Sequence, residues 1–412
     1  MPSPAARLLS SFGALRYRDF RLFWFGSCVS FIGSWVQMVA TGLYVYQTTS
    51  SKQWLGIMGL AGGLPTTAFM LFGGVVADRA NKRRLVLATQ TAFALTSIAL
   101  AALLWAHELQ MWHLLASALL NGLIFAVDGP ARQAIVYDLV GEDDLATGVA
   151  LQSAAFNIAR VIGPMIGGAL YAAFGPAWCF FVNGVSFLAI IWAVVAVRAD
   201  ISRTSAHVQS VWYGLVEGIS HLRANRPMRT VVGLTAVTSL TAFSVYQTLM
   251  PAFAKDLLGI GERDARYGLL FSAMGAGALI GVYLIGRVSA AGRRGLLMMV
   301  AALAFGATLP MLGQTRAFPV AIAILVCLGC AAISQLATAN TLTQTLAPDR
   351  LRGRAVSAHM FAMGGLQPFG SFVAGLVAQR WGVPAALSAG GLVLIAYTAG
   401  IWLFKREVAG LA

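Results

Sequence analysis

Twelve apolar stretches, each of about 20 residues or more, run through this chain near positions 20–46, 53–77, 85–106, 111–136, 146–174, 178–198, 229–252, 266–286, 295–314, 317–345, 354–379 and 384–404. A helix of that length spans the roughly 30 Å hydrocarbon core of a bilayer. Hydrocarbon offers the backbone no hydrogen-bond partner, so each stretch must satisfy its own amides by coiling. The fold class that follows is an all-α membrane protein with twelve transmembrane helices. Composition agrees, since 11% of the 412 residues are charged and 58% are hydrophobic, whereas a soluble domain carries about a quarter charged residues. Too few polar side chains exist to cover a water-facing surface. A large soluble enzyme, a secreted disulfide scaffold and a disordered chain are excluded.

The basic excess, +14 overall, is set by topology. An even number of spans puts both termini on one side. Of the 29 Lys and Arg residues, 22 fall in the loops and termini of that side and 6 on the other, with Arg160 left inside span 5. The positive-inside rule then predicts cytoplasmic termini in a cell inner (plasma) membrane. The lipid bilayer, with its anionic headgroups, is the partner of this charge, and nucleic acid is not expected. Cys28, Cys179, Cys327 and Cys330 all lie in apolar runs. Cys327 and Cys330 have zinc-like spacing but no second ligand pair, so no metal site is expected.

The chain divides into similar halves, each predicted to form a six-helix bundle, over 1–198 and 228–412. The segment 199–227 carries Val211, Trp212, Leu215, Val216, Ile219 and Leu222 at helical spacing opposite Glu217, His221 and Arg223. That pattern predicts an amphipathic cytoplasmic linker lying on the inner leaflet. Tyr46, Gln47 and Thr48 near the end of span 1 recur as Tyr246, Gln247 and Thr248 near the end of span 7. Six plus six spans with internal repetition, a pseudo-twofold architecture, is that of a transporter whose halves rock about a site at their interface.

Between spans 2 and 3 stand Gly74, Asp78, Arg79, Lys82, Arg83 and Arg84. A glycine, an Asp-Arg pair and a basic cluster in this place resemble the signature loop of the major facilitator superfamily. Gly74 lets span 2 approach a neighbouring helix, Asp78 suits the positive N-terminus of a facing helix, here span 11, and Lys82 and Arg83 are placed to pair with an acid within the helix ends. Span 5 carries Ala150, Ala159, Gly163, Pro164, Gly167 and Gly168, which resembles the glycine–proline motif of antiporters in that superfamily, with two of its glycines replaced by alanine. The alternative reading of span 5 is a small-residue packing seam that does not specify direction. Tyr17 to Arg21, Leu139 to Leu145 and Leu342 to Pro348 are similar to the enterobactin-exporter and drug:proton antiporter branch. That resemblance implies export of an amphipathic, siderophore- or drug-like molecule, driven by protons.

A charge within the bilayer needs a partner or a job. On span 4, Asn121, Phe125, Asp128 and Arg132 share a face, and on span 5 Ser153, Asn157 and Arg160 do the same. Asp128 is read either as partner of Lys82 or Arg83 in a conformational lock (Gly74, Asp78, Arg79, Lys82, Arg83, Asp128) or as the proton site. It stands roughly 10 Å from the basic end of span 4, and Arg160 roughly 20 Å into span 5. Arg160 is read either as a contact for an anionic substrate or as a tether to Asn157 and backbone carbonyls. No span of the second half holds an acid, and the positions matching Asp128, Arg132 and Arg160 are Ser334, Thr338 and Leu366. His359 is the second candidate for proton coupling. Gln37, Asn121, Phe125, Asn157, Arg160, Tyr246, Gln247, Gln335, Met363 and Gln367 are candidates to line a substrate cavity. No nucleotide loop, zinc motif or catalytic cluster is present. The expectation is therefore a transporter and not an enzyme, without cofactor, working as a monomer on a small molecule and protons. An uptake symporter or facilitator is the alternative, and a membrane receptor or enzyme a distant one.

Overall fold

The computed structural model describes residues 13–201, 225–261, 263–289, 292–348, 351–404 and 410–411, the side chains at 70, 71, 74, 75, 77, 78, 288 and 289 excepted. After a short turn of tighter helix at Gly13–Arg16 come α1 (Arg18–Thr49), α2 (Lys52–Arg79), α3 (Lys82–Trp105), α4 (Met111–Val140), α5 (Leu145–Phe174) and α6 (Pro176–Ala196). The second half holds α7 (Arg226–Leu257), α8 (Arg266–Ser289), α9 (Arg294–Gln314), α10 (Phe318–Leu346), α11 (Arg352–Trp381) and α12 (Val383–Phe404). Eleven of these helices are long and apolar enough to cross a membrane, and α2 is 28 residues long. The twelve expected spans thus fall on twelve helices. The expected amphipathic linker lies mostly outside the described residues.

Two compact units form, one from Met1–Thr41 with Ala68–Val208, the other from Gly42–Thr67 with Gln209–Ala412. They depart from the sequence halves at one place, because the α1–α2 hairpin over 42–67 packs in the second unit. Small residues explain why. Gly56 lies against the backbones of Ser371 and Gly375, and Gly59 against Ser371, so α2 and α11 meet almost backbone to backbone. Gln379 of α11 then caps the start of α2, its Oε1 accepting the Lys52 amide at 2.9 Å. Elsewhere in this unit α8 and α10 cross where Gly277 meets Val326 and Gly329 meets Met274. Two helices are locally widened into π turns, α7 at Thr238–Phe243 and Phe253–Leu257 and α11 at Phe361–Gly365. The Ser239 hydroxyl of the first π turn in α7 donates to the Met363 carbonyl in the π turn of α11.

In the first unit α3 and α6 pack along each other, and Gly26 and Gly33 bring α1 onto α6. Buried Phe20, Phe23, Val86, Ile135, Leu139, Phe187 and Ile190 form its core. Polar side chains fasten its basic end. Asp19 accepts the amides of Arg198 and Ala199 just beyond α6 at 3.0 and 2.8 Å. Tyr17 donates to Asp144, before α5, at 2.9 Å, and Arg16 does so at 2.6 Å. The hydrogen bond with Tyr17, and next the charge of Asp144, make Arg16 hold its proton more tightly. Two of the blocks carrying the family resemblance, Tyr17 to Arg21 and Leu139 to Leu145, therefore bind each other.

A Cβ placed on Gly329 would fall inside the contact shell of the Met274 carbonyl. Gly329→Val is expected to lower the thermal unfolding midpoint of the detergent-solubilised protein, at a cost of about 2 kcal/mol or more from overpacking. Gly286→Ala, at a glycine with open space around it, should leave the midpoint unchanged.

Candidate functional site

Asp128 is buried on α4, 4% exposed, and its two oxygens are both engaged. Oδ1 accepts from the Thr89 hydroxyl and the Gln90 amide of α3, each at 2.6 Å. Oδ2 stands 2.9 Å from Arg132 Nε, one turn along the same helix, an ion pair whose angle is not that of a hydrogen bond. Arg132 spreads over the network, donating to Gln90 Oε1 at 2.7 Å and to the Ser30 hydroxyl of α1 at 3.3 Å. Its guanidinium also stands 5.2 Å from the centre of the Phe31 ring. Three helices are thereby joined by one closed set of charges and dipoles in the membrane interior.

This arrangement corrects the expected lock. Lys82 pairs with Asp138, at 2.7 Å, Lys82 buried and Asp138 largely so. Arg83 donates to the carbonyls of Val194 at 3.1 Å and Val195 at 3.2 Å, and to that of Val197. There the guanidinium satisfies carbonyls that end α6 and complements its dipole. Neither side chain reaches Asp128, because α4 runs on to Val140 and leaves Asp128 roughly 18 Å, not 10 Å, from its end at 1.5 Å per residue. Asp138 lies ten residues nearer that end and is what the loop meets. Its position, one turn before the 4–5 junction on the same helix as Asp128, was the signal available. Arg132 was likewise counted among the loop cations, yet it is buried within α4. Arg79 is exposed. The side-chain surroundings of Gly74 and Asp78 lie outside the described residues.

The glycine–proline motif of α5 lies on α1. A Cβ on Gly163 would meet Trp35, one on Gly167 would meet Val36, and Ala159, Pro164 and Gly168 are buried beside them. One turn earlier Phe156 contacts Phe31 and Trp35, with ring centres 5.5 and 6.0 Å apart. Arg160 lies between these two contacts. It is half-buried, its Nε is enclosed, and no described residue bonds to it. Of the two readings of Arg160, the tether to Asn157 is not made among the described residues, and the Asn157 amide nitrogen donates to the Ser153 carbonyl at 2.8 Å. Asn121 accepts from Thr96 of α3 at 3.1 Å, while Phe125 is 58% exposed. The face of α4 that carries Asn121 and Asp128 therefore meets α3, and Phe125 stands at its margin. Gln37 accepts from Asn183 of α6 at 2.7 Å.

In the second unit Tyr246 is 1% exposed and packs against Phe243 and Phe305. Its expected place in a cavity wall is corrected: it is a core residue. Gln367 donates to Gln247 at 2.7 Å, joining α11 to α7. Gln335, Thr338 and His359 are buried, and their side-chain polar atoms have no partner among the described residues. Met363 is half-buried, its carbonyl held by Ser239 as above. Sequence reasoning missed a further cluster here. Tyr46 donates to Asp256 at 2.7 Å, and Lys52 pairs with the same carboxylate at 2.9 Å. The repeated Tyr-Gln-Thr tripeptide thus meets different neighbours, Asp256 and Lys52 at Tyr46 and Phe243 and Phe305 at Tyr246.

Comparison with known proteins agrees with this architecture. A family model described as "Transmembrane secretion effector" matches residues 9–409. The chain is 24% identical to the staphyloferrin A transporter of Staphylococcus aureus over 94% of its own length and 96% of the relative's. It is 26% identical to the enterobactin exporter EntS of Salmonella typhimurium, covering 81% and 80% of the two chains. Among solved structures, the nucleoside transporter NupG superposes with a TM-score of 0.77 at 12% identity, over 95% of this chain and 99% of that one. That likeness shows the major facilitator fold.

The pairing at the basic end predicts a charge-swap result. Lys82→Asp should leave two buried acids facing each other and destabilise the protein by about 3 kcal/mol or more, read as a lowered unfolding midpoint. Adding Asp138→Lys should restore most of the loss. Adding Asp128→Lys instead should restore none of it.

Proposed function

We propose that this chain, which belongs to the transmembrane secretion effector family of the major facilitator superfamily, exports an amphipathic, siderophore- or drug-like small molecule by proton-coupled alternating access. It is a multi-pass membrane transporter and not an enzyme. Export is supported by the chain-long match to a secretion family and by likeness to a protein named as an exporter. The 21-to-6 division of basic residues that remains once Arg132 is set aside supports cytoplasmic termini. Monomeric function belongs to the same proposal.

Proton coupling rests on one observation, the enclosure of Asp128 with Arg132 far from either helix end. In that place the carboxylate faces one cation and accepts two hydrogen bonds. A proton on Oδ2 removes the attraction to Arg132 and leaves that cation to Gln90 and Ser30. The α3–α4 network then has two arrangements that differ by one charge, which is what a coupled step requires. The seam of α5 on α1, with Pro164 inside it, holds the next helix close to the same network.

The test uses inside-out membrane vesicles with an imposed, lumen-acid pH gradient and two related dyes, anilinonaphthalene sulfonate and phenylnaphthylamine. Gradient-dependent dye uptake is expected for the wild-type protein, with loss of at least tenfold in Asp128→Asn. Uptake that survives in this variant with its gradient dependence intact would remove Asp128 as the carrier and turn attention to His359. Equilibration without gradient dependence would make the protein a facilitator.

A further inference from the structure

We infer that Arg160, together with Phe31, Trp35 and Phe156, forms a recognition site for the acidic group of an amphipathic organic anion, so that the transported molecule carries at least one negative charge. The inference rests on the proposal above that this chain moves an amphipathic substrate, and it adds the chemical class.

Two cations of the first unit lie more than two turns from any helix end, Arg132 and Arg160. Arg132 is answered by Asp128, Gln90 and Ser30. Arg160 is answered by nothing among the described residues, although its Nε is enclosed. Asp128 is turned to other groups, with Thr89 and Gln90 on one oxygen and Arg132 beside the other. Asn157, the nearest polar group along the helix, directs its amide to its own backbone. A guanidinium stays charged at any physiological pH, so it cannot escape the penalty of its surroundings by losing a proton. An unpaired charge within a membrane helix costs several kcal/mol on most scales, and an arriving anion offsets that cost.

The neighbours of Arg160 set the remainder of the class. Phe156 lies four residues before it on α5, 44% exposed, with Phe31 and Trp35 of α1 against its ring. Gly163, three residues after it, is the point at which α5 touches Trp35. The charge therefore stands within one helical turn of an aromatic group that is only partly covered. A cation beside partly covered rings suits a molecule with an acid at one end and a flat apolar body at the other. Carboxylate, sulfonate and phenolate share the required oxyanion chemistry, and the phosphate of a lipid headgroup is the competing source of it.

The two dyes named above differ by one sulfonate. Equilibrium binding to the full chain reconstituted in phosphatidylcholine liposomes, with empty liposomes as background, measures the charge selectivity without reference to transport direction. Wild-type protein should bind the sulfonate dye at least tenfold more tightly than the uncharged one. Arg160→Gln should weaken the sulfonate dye about tenfold and leave the neutral dye within twofold, and Arg160→Lys should keep most of the selectivity. Loss of both dyes together in Arg160→Gln, equal binding of both by wild type, or binding of neither overturns the assignment. Selectivity that vanishes when phosphatidylglycerol is added to the liposomes gives the charge to lipid and overturns it also. Because binding is read apart from direction, a protein that fails the vesicle test as an exporter can still pass this one, and the reverse.

Discussion

Between two helices in hydrocarbon, burying leucine gains little, because lipid tails are as apolar as the side chain they replace. Contact must come from close approach of backbones and from polar groups that find each other. The crossings in both units obey this constraint. Gly26 and Gly33 of α1 against α6, Gly163 and Gly167 of α5 against α1, Gly56 against Gly375, and Gly277 and Gly329 in the α8–α10 pair all remove a Cβ where another helix's backbone or side chain stands. Everything else is arranged around these seams. The networks of Asp128 and Asp138 can span from helix to helix only because glycine and other small residues hold the helices near enough for short side chains to meet.

Charges then divide by depth. Near the helix ends, Asp19, Asp138 and Asp144 each answer a cation or a set of orphan amides, and their bonds fasten one helix end to another. Such pairs stabilise an arrangement without needing to change. In the interior the same chemistry has a different consequence. The Asp128–Arg132 pair is desolvated, so its net worth as a stabilising contact is small, while its response to a single proton is large. A structural role alone could be filled more cheaply by apolar residues.

How much of this could be read beforehand follows from what each signal depends on. Span positions depend only on hydropathy summed over about 20 residues, which is why all twelve were legible. The place of the α5 motif followed from its small residues, although its partner α1 did not. Ion-pair partners depend on where a helix stops and which way its faces turn. A four-residue extension of α4, from position 136 to Val140, was enough to move Asp128 out of reach of Lys82 and put Asp138 in its place. Face arguments from helical spacing were also too coarse. Asn121 and Asp128 do meet one neighbour, α3, but Phe125, about 40° from the first and about 60° from the second by the 3.6-residue period, is open to the surroundings. Identical tripeptides at 46–48 and 246–248 were no guide to surroundings, since Tyr46 meets Asp256 and Lys52 while the Tyr246 ring lies against Phe243 and Phe305.

The two halves share a plan but not their interior electrostatics. Where the first unit buries Asp128 and Arg132 and half-buries Arg160, the second buries Gln335, Thr338 and His359. The interior of the first unit therefore carries one positive charge in excess when Asp128 is ionised, and two when it is protonated. Charge alone makes a proton and an anionic ligand favour each other in this unit, and by linkage the preference is mutual. That sign suits co-transport. Antiport of an anion against protons needs the opposite sign, so protonation of Asp128 must favour a conformation in which Arg160 holds its ligand weakly, by a margin larger than the direct attraction. The link available for this is α1, which carries Ser30 and Phe31 on the Arg132 side and Trp35 and Val36 on the α5 seam, within six residues. A shift of Arg132 on losing its carboxylate partner acts first on Ser30 and Phe31, and Phe31 itself meets Phe156 edge to face, one turn from Arg160. In the proposed cycle the direction of transport is thus decided by how far α1 moves when Asp128 takes its proton, and not by the charges alone.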